Sequence, residues 1–168
     1  MPAGNIVGYI NEIQPPKTDA ATQDTRDGGS TPNEVVHVWD FDAAGDEYLD
    51  FKGVLNGYDG GGLKVRIHWM ASVATSGDVR WGAAFRRIQD DAEDIDEAHT
   101  YAFNYVIDAA PSASGEFGVA EIDFTDGADM DSLLEGEPFI LRVVRDADHG
   151  DDDMTGDAEL VLVEVIEG

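Results

Sequence analysis

A regular alternation of apolar and polar residues recurs in about eight short segments between residues 35 and 167. In residues 63–69 (LKVRIHW), the apolar side chains occupy positions 63, 65, 67 and 69. Successive side chains of a β-strand face opposite sides, so these four share one face, and a register shift of one residue would expose all of them. Acid-rich stretches separate the segments, as is typical of loops. The pattern predicts an all-β chain folded as a β-sandwich.

The same rule predicts which side chains form the core. The inward-facing sets are Leu49, Phe51 and Leu55; Val79, Trp81, Ala83 and Phe85; and Ala120, Ile122 and Phe124. Trp69 and Trp81 are predicted to meet, because strands joined by a short connection usually pair. A stripe of mostly aromatic residues is likewise assigned to the core rather than to a ligand platform: Tyr101, Phe103, Tyr105 and Ile107.

Two segments near the end of the chain, residues 139–144 and 160–166, are apolar on nearly all positions. Burial on both sides in a two-layer sandwich indicates a covered outer face, and a partner subunit is one way to cover it. One short helix is predicted at residues 130–135, with the carboxylate of Asp129 capping its start and Gly136 closing its end.

The first 34 residues differ from the rest, so we divide the chain into an N-terminal arm and linker (1–34) and a sandwich domain (35–168). Prolines 15 and 16 and the polar residues 18–33 predict an extended linker without regular pairing. A frayed terminus is one interpretation; the other is an apolar hook that adds to the sheet or groove of a neighbour. The apolar residues favour the hook, and the candidate interface residues are Ile6, Val7, Tyr9, Ile10 and Ile13.

The charge is strongly unbalanced, with 36 acidic and 10 basic residues and a formal net charge of −26. Such a surface repels phosphate backbones and anionic lipid, so neither nucleic acid nor a membrane is an expected partner. Adaptation to salty surroundings and a solubilising surface on a protein packed in many copies both explain the charge. The chain has no cysteine, no apolar run of membrane-spanning length and no expected secretion signal at its start.

No residue pattern predicts catalysis. The serines and the four histidines lack the spacing of a catalytic or metal-binding motif, so we predict no enzyme, no catalytic residue, no cofactor and no metal. Two acid clusters raise the alternative of calcium, but the second has glycine at its fifth position, outside the EF-hand register, and a solvated acidic loop is the favoured interpretation. The clusters are Asp90, Asp91, Glu93, Asp94, Asp96 and Glu97, and Asp146, Asp148, Asp151, Asp152, Asp153 and Asp157.

Two groups of strand and turn motifs resemble structural proteins of tailed bacteriophages. The first comprises residues 60–69 (GGGLKVRIHW), 74–81 (ATSGDVRW) and 85–88 (FRRI). The second comprises residues 136–147 (GEPFILRVVRDA) and 157–164 (DAELVLVE), which are similar to the last two strands of phage jelly-roll proteins. The resemblance covers residues 48–167 and excludes the arm.

The resemblance implies an eight-stranded antiparallel jelly-roll β-sandwich with an extended N-terminal arm, assembled as a homotrimer on the outer surface of a virion capsid. The expected function is that of a non-enzymatic head decoration, or cement, protein that bridges subunits of the major capsid protein, with the arm as docking element. The alternative is a tail- or fibre-associated β-sandwich module that binds carbohydrate through aromatic side chains such as Tyr58, Trp39 or Tyr48.

Overall fold

The computed structural model describes residues 8–74 and 76–168, with side chains from residue 13 onward. Its regular elements are ten β-strands and one turn of 3₁₀ helix, Ala128–Met130. The strands are β1 Gly8–Gln14, β2 Thr22–Asp27, β3 Val35–Phe41, β4 Glu47–Leu55, β5 Leu63–Ala71, β6 Asp78–Arg87, β7 Asn104–Ala109, β8 Gly118–Phe124, β9 Pro138–Arg145 and β10 Ala158–Glu167. Within the described ranges no helix is long and apolar enough to cross a bilayer.

The strands form two five-stranded sheets with antiparallel pairing throughout. Sheet I has the order β1-β4-β9-β6-β7, and sheet II has the order β2-β3-β10-β5-β8. Strands β3 to β10 alone give two four-stranded sheets in the order of a jelly roll, in which every connection except the one from β6 to β7 crosses between the layers. The predicted all-β jelly-roll sandwich is confirmed. The strand count is ten rather than eight, because β1 and β2 extend one edge of each sheet.

Residues 8–34 supply both added strands. In β1, Ile13 pairs with Phe51 of β4, and in β2, Arg26 pairs with Val36 of β3. Ala21, just before β2, is buried in the core. The prediction of an unpaired linker over residues 18–33 is therefore wrong: β2 is a mostly exposed edge strand, and a strand that buries so little carries no apolar alternation.

The proposed interface residues of the arm are described to different extents. Ile6 and Val7 lie outside the described residues, and only the backbone of Tyr9 and Ile10 is described, as part of β1. Ile13 is 43% exposed. Nothing in the fold tests whether any of the five contacts another molecule.

Aromatic rings from both sheets meet at the centre of the core. The Trp69 and Trp81 rings lie 5.8 Å apart in an edge-to-face arrangement, which confirms the predicted contact. They meet across the sandwich rather than as paired neighbours, because β5 belongs to sheet II and β6 to sheet I. Phe85 of sheet I similarly lies 5.0 Å from Phe124 of sheet II. Edge-to-face packing of this kind adds about 0.5–1.5 kcal/mol per pair beyond the area it buries.

Two local predictions fail. The helix at residues 130–135 does not form: Asp131 and Ser132 adopt positive φ angles of 57° and 54°, and the Asp129 carboxylate instead accepts a hydrogen bond from the Thr125 amide at 2.7 Å. The last strand is not buried on both faces, since a bulge between Leu160 and Leu162 leaves Leu162 45% exposed. An apolar run does not reveal which of its positions a bulge turns outward.

Candidate functional site: an aromatic platform on sheet I

Four aromatic side chains cluster on the outer face of sheet I, and we call this cluster the aromatic platform. Phe103 is its centre, with ring centroids 6.3 Å from Tyr48, 6.2 Å from Tyr101 and 5.9 Å from Tyr105. Tyr48 comes from β4, Tyr105 from β7, and the other two from the segment that precedes β7. The rings of Tyr101, Phe103 and Tyr105 are inclined by only 32–34° from one to the next, so they form a nearly continuous surface.

This stripe was predicted to be core, and the structure corrects that prediction. Tyr105 is 41% exposed and Ile107 is 49% exposed, whereas Val106, between them, packs against the core. The alternation itself is present in β7, but its aromatic face points to solvent and the face with Val106 points to the core. Alternation defines two faces of a strand without saying which is inside, and an edge strand with aromatic residues on its outer face has the same sequence pattern as a core strand.

One cross-strand row explains why the platform forms. Tyr48, Val144, Gly82 and Tyr105 pair in succession across β4, β9, β6 and β7, so all four point to the same outer face. Gly82, the position next to Tyr105 in this row, has no side chain. A Cβ atom at Gly82 would lie 2.6 Å from Cε1 of Tyr105 and 2.7 Å from Cγ1 of Val144. The glycine therefore leaves space for the Tyr105 ring over strand β6.

Two arginines hold the tyrosine rings. The guanidinium of Arg80 lies 3.7 Å from the centroid of Tyr105, and that of Arg142 lies 4.3 Å from Tyr101 and 5.8 Å from Tyr48. Cations at such distances are attracted to an aromatic face and restrict the motion of the ring. The platform is thus a preorganised surface rather than a set of mobile side chains, and little conformational entropy is lost when a ligand settles on it.

Each arginine is itself fixed by a carboxylate. Arg142 donates two hydrogen bonds to Asp50, both at 2.7 Å, and these raise the pKa of the guanidinium. Arg80 forms an ion pair with Asp146. Ion pairs with two parallel hydrogen bonds combine charge with a fixed orientation, so Asp50 also determines where the Arg142 plane lies above the rings.

The tyrosine hydroxyls of the platform are hydrogen-bonding groups at neutral pH. Burial raises the pKa of Tyr48 and of Tyr101 above the ordinary tyrosine value, with nearby carboxylates adding to the effect. Both hydroxyls therefore stay protonated and can donate and accept hydrogen bonds. The site offers flat apolar faces edged by neutral polar groups.

A groove of about 460 Å³ adjoins the platform where β7 and β8 form neighbouring edges of the two sheets. On one side, the amide Nδ2 of Asn104 donates to the carbonyl oxygen of Asp123 at 2.8 Å. On the other side, the hydrogen bond from Arg66 lowers the pKa of Glu121, which therefore presents acceptor oxygens. The volume is within the usual range for small-ligand sites. The lining residues are Phe103, Asn104, Tyr105, Val106, Glu121, Ile122 and Asp123.

Of the three aromatic residues predicted to contact sugar, the structure places one in the platform. Tyr48 is there. Tyr58 is structural: its hydroxyl donates to Asp126 at 2.6 Å, and burial together with this hydrogen bond raises its pKa to about 12. Trp39 is half-buried against the core. The sequence pattern assigns Phe103 and Tyr105 to the interior, so it does not reveal the exposed ring that defines the site.

In both acid clusters, carboxylates accept hydrogen bonds from other groups of the protein. Asp152 receives two hydrogen bonds from the buried Arg145, at 3.0 and 2.8 Å, and Asp153 accepts one from the Asp78 amide at 2.7 Å. In the first cluster, Glu93 accepts from Arg86 at 2.9 Å. Among the described residues, no three histidine, aspartate or glutamate side chains converge as metal ligands would.

No protein-family model and no curated protein matches the chain, but solved structures do. The CBM22-1 xylan-binding domain of Paenibacillus barcinonensis Xyn10C is 7% identical, with 98% of each chain covered and a TM-score of 0.40. The family 11 carbohydrate-binding module of Clostridium thermocellum, in complex with a β-1,3-1,4-mixed-linked tetrasaccharide, is 14% identical, covering 99% of this chain and 91% of that one with a TM-score of 0.39. The mannan-recognising module TmCBM27 is 11% identical, covering 96% and 98%, with a TM-score of 0.40.

These findings overturn the sequence-based prediction of a capsid decoration protein. The three solved structures named above are carbohydrate-binding modules, the class named in the alternative prediction. The motifs behind the capsid interpretation describe strands and turns, and one fold carries many functions, so they could not specify a partner. The major capsid protein, the trimer and the virion location depended on that resemblance alone. Likeness at these identities describes the fold only, so a ligand has to be inferred from the aromatic platform itself.

Proposed function

We propose that this chain is a non-catalytic carbohydrate-binding module that stacks sugar rings on the aromatic platform. The observation that carries the proposal is the Phe103-centred cluster on an outer sheet face, in which Tyr105 stays 41% exposed although Gly82 and Arg80 fix its position. A sheet face that only needed to be soluble would not hold an aromatic ring in place and leave it open to solvent.

The chemistry of the platform fits a sugar. A pyranose ring has C–H groups on its faces and hydroxyls around its rim, so it matches a surface with apolar aromatic faces and polar groups at the edge. The protonated hydroxyls of Tyr48 and Tyr101 supply donors and acceptors beside the rings. The groove beyond Phe103 and Tyr105 adds Asn104 and acidic oxygens, which accept hydrogen bonds from sugar hydroxyls.

The test is a binding measurement with a matched pair of aromatic substitutions. A glycan array and affinity electrophoresis in soluble polysaccharides identify a ligand for the wild-type chain, and calorimetry then measures its Kd. We expect Tyr105→Ala to weaken binding at least tenfold, a change of about 1.4 kcal/mol. The control is Phe117→Ala, which removes a 59% exposed aromatic ring that lies outside the platform and lines a groove on sheet II.

Two results would contradict the proposal. One is failure of the wild-type chain to bind any polysaccharide or array glycan at millimolar concentration. The other is equal loss of affinity in Tyr105→Ala and Phe117→Ala, because binding would then not depend on the platform. The non-catalytic part of the proposal is checked separately: prolonged incubation with the bound polysaccharide should release no reducing ends, and measurable release would overturn it.

A further inference from the structure

The arginines beside the aromatic platform indicate which class of sugar the platform binds. This inference rests on the proposed function. We infer that the platform selects uncharged glycan chains and rejects uronate-containing or sulfated ones. Three arginines project from the outer face of sheet I: Arg80 and Arg86 from β6, and Arg142 from β9. A site for anionic sugars would offer free guanidinium groups to the ligand. Here each of the three arginines already forms an ion pair with a carboxylate of the protein.

Arg142 is engaged on two sides. Asp50 takes two of its N–H groups at 2.7 Å each, and the two side chains are only 26% and 16% exposed. The guanidinium plane also lies over Tyr101 at 4.3 Å. A carboxylate on a ligand could bind Arg142 only by displacing Asp50, and that would leave a partly buried aspartate without its partner. Removing one member of such a pair costs more free energy than the intact pair contributes, because the other charge is left without a partner.

Arg80 and Arg86 also form ion pairs within the protein. Arg80 is paired with Asp146 and stacked on Tyr105, with side-chain exposures of 18% for the arginine and 16% for the aspartate. Arg86, with a side chain 9% exposed, donates to Glu93 at 2.9 Å and to the carbonyl of Asp94 at 3.0 Å. Lys52, on the same face of β4, also has a partner within the protein.

The overall charge acts in the same direction. The chain carries a net charge of −26, so an anionic polysaccharide approaches against a repulsive field, whereas a neutral one does not. Arg80 and Arg142 therefore position rings instead of binding anions, and the surrounding acids repel anionic competitors. Specificity of this kind depends on a repulsive element as much as on the attractive one.

The experiment compares one polysaccharide in two charge states. Xylan, mannan, galactan and mixed-linkage β-glucan are tested first, and the one that binds is then carboxymethylated and tested again, beside polygalacturonate and alginate. At 50 mM salt we expect the carboxymethylated form to bind at least tenfold more weakly than its neutral parent. In 1 M salt the ratio should shrink, because the repulsion is screened over about 3 Å.

A substitution supplies the second readout. Asp50→Asn releases Arg142 from its carboxylate and should raise affinity for the carboxymethylated polymer relative to the neutral one by severalfold. Asp151→Asn is the control, since it changes the net charge equally at a 57% exposed side chain in the loop after β9. Using the ratio of the two affinities as the readout separates a gain of anion binding from general damage to the platform.

The outcomes distinguish this inference from the proposed function. Binding of a neutral polysaccharide with a tenfold or greater preference over its carboxymethylated form supports both. Equal or tighter binding of an anionic polysaccharide, lost in Tyr105→Ala, keeps the carbohydrate-binding function and overturns the selectivity. Absence of binding to all neutral and anionic polysaccharides overturns the proposed function and this inference with it.

Discussion

Gly82 lies directly across the β6–β7 ladder from Tyr105, and the tyrosine ring occupies space that any other residue at position 82 would need for its Cβ atom. The two residues are 23 positions apart in the sequence, and neither is unusual by itself. Together they place a partly exposed ring over the neighbouring strand β6. This pairing makes a prediction that does not require altering any aromatic residue.

Gly82→Ala should displace the Tyr105 ring and weaken glycan binding about tenfold while the fold persists. The new methyl group would meet Cε1 of Tyr105 at 2.6 Å and Cγ1 of Val144 at 2.7 Å, closer than atoms pack, so the ring has to move. Calorimetric titration measures the affinity, and near-ultraviolet circular dichroism reports the ring environment. Gly45→Ala is the control, because nothing lies within 4 Å of its added Cβ. Unchanged affinity in Gly82→Ala would show that the position of Tyr105 does not matter for binding.

Arg145 should be a major determinant of stability. Its side chain is fully buried; it donates to Asp152 and to the carbonyl oxygens of Phe41, Gly156 and Met154, and so ties the loop after β9 to the core. Arg145→Met leaves the buried Asp152 carboxylate and three carbonyls without this partner, and we expect a loss of about 3–5 kcal/mol in the free energy of unfolding. Urea denaturation measures it.

The comparison for Arg145 is Arg66→Met, which breaks the exposed ion pair with Glu121 on sheet II. Exposed pairs contribute about 0–1 kcal/mol, so this variant should remain close to the wild type. If the two substitutions prove equally costly, the buried network is not the source of stability that its hydrogen bonds indicate.

Asp40 should make stability depend on pH in the mildly acidic range. Burial, together with the charges of Glu159, Asp24 and Asp157, raises its pKa from 3.8 to about 6. The folded protein therefore holds the proton more tightly than the unfolded chain, so stability is highest below the unfolded pKa and falls as pH rises through about 6.

Asp40→Asn removes this fall in stability with rising pH, because the amide does not ionise. With allowance for solvent screening of a partly exposed group, we expect the variant to be about 1 kcal/mol more stable than the wild type at pH 7.5, roughly 2–4 °C in Tm, with no difference near pH 3.5. Thermal unfolding at several pH values measures this. Asp123→Asn, with a side chain 80% exposed, provides the control. A constant Tm difference at all pH values would show that Asp40 is not the titrating group.

Added salt should stabilise the chain. With a net charge of −26, self-repulsion is strong at low ionic strength and is screened over about 10 Å at 0.1 M salt and about 3 Å at 1 M. Tm should therefore rise steadily from 0.05 to 1 M sodium chloride, whereas sucrose of equal osmolality tests for a general solute effect. A flat or falling Tm would remove the interpretation of the charge as adaptation to salt.

Much of the interior could be predicted from the sequence, because burial imposes a simple rule on a strand. Leu63, Val65, Ile67 and Trp69 are all 0–1% exposed, as their alternation indicated. The contact of Trp69 with Trp81 was also correct, but the assumed pairing of their strands was not. Periodicity identifies the inward positions of each strand, whereas the choice of sheet depends on how the connections cross between layers.

The edges and turns were harder to predict. Strand β2 is polar because an edge strand buries little, so its sequence reads as a linker. The segment after Asp129 has a capping residue and helix-forming residues, yet the backbone turns at Asp131 and Ser132 instead. In both cases, contacts with distant parts of the chain outweigh a weak local preference.

The sequence by itself determined that this chain is a β-sandwich with an acidic surface, because alternating hydrophobicity and net charge are properties of residue order and composition. Tertiary structure decided where the aromatic platform lies. Tyr48, Phe103 and Tyr105 come from separate parts of the chain, and only the order of strands in sheet I, together with the missing side chain at Gly82, brings their rings onto one outer face. Alternation gives a strand two faces, and the packing of the whole molecule determines which one meets the solvent.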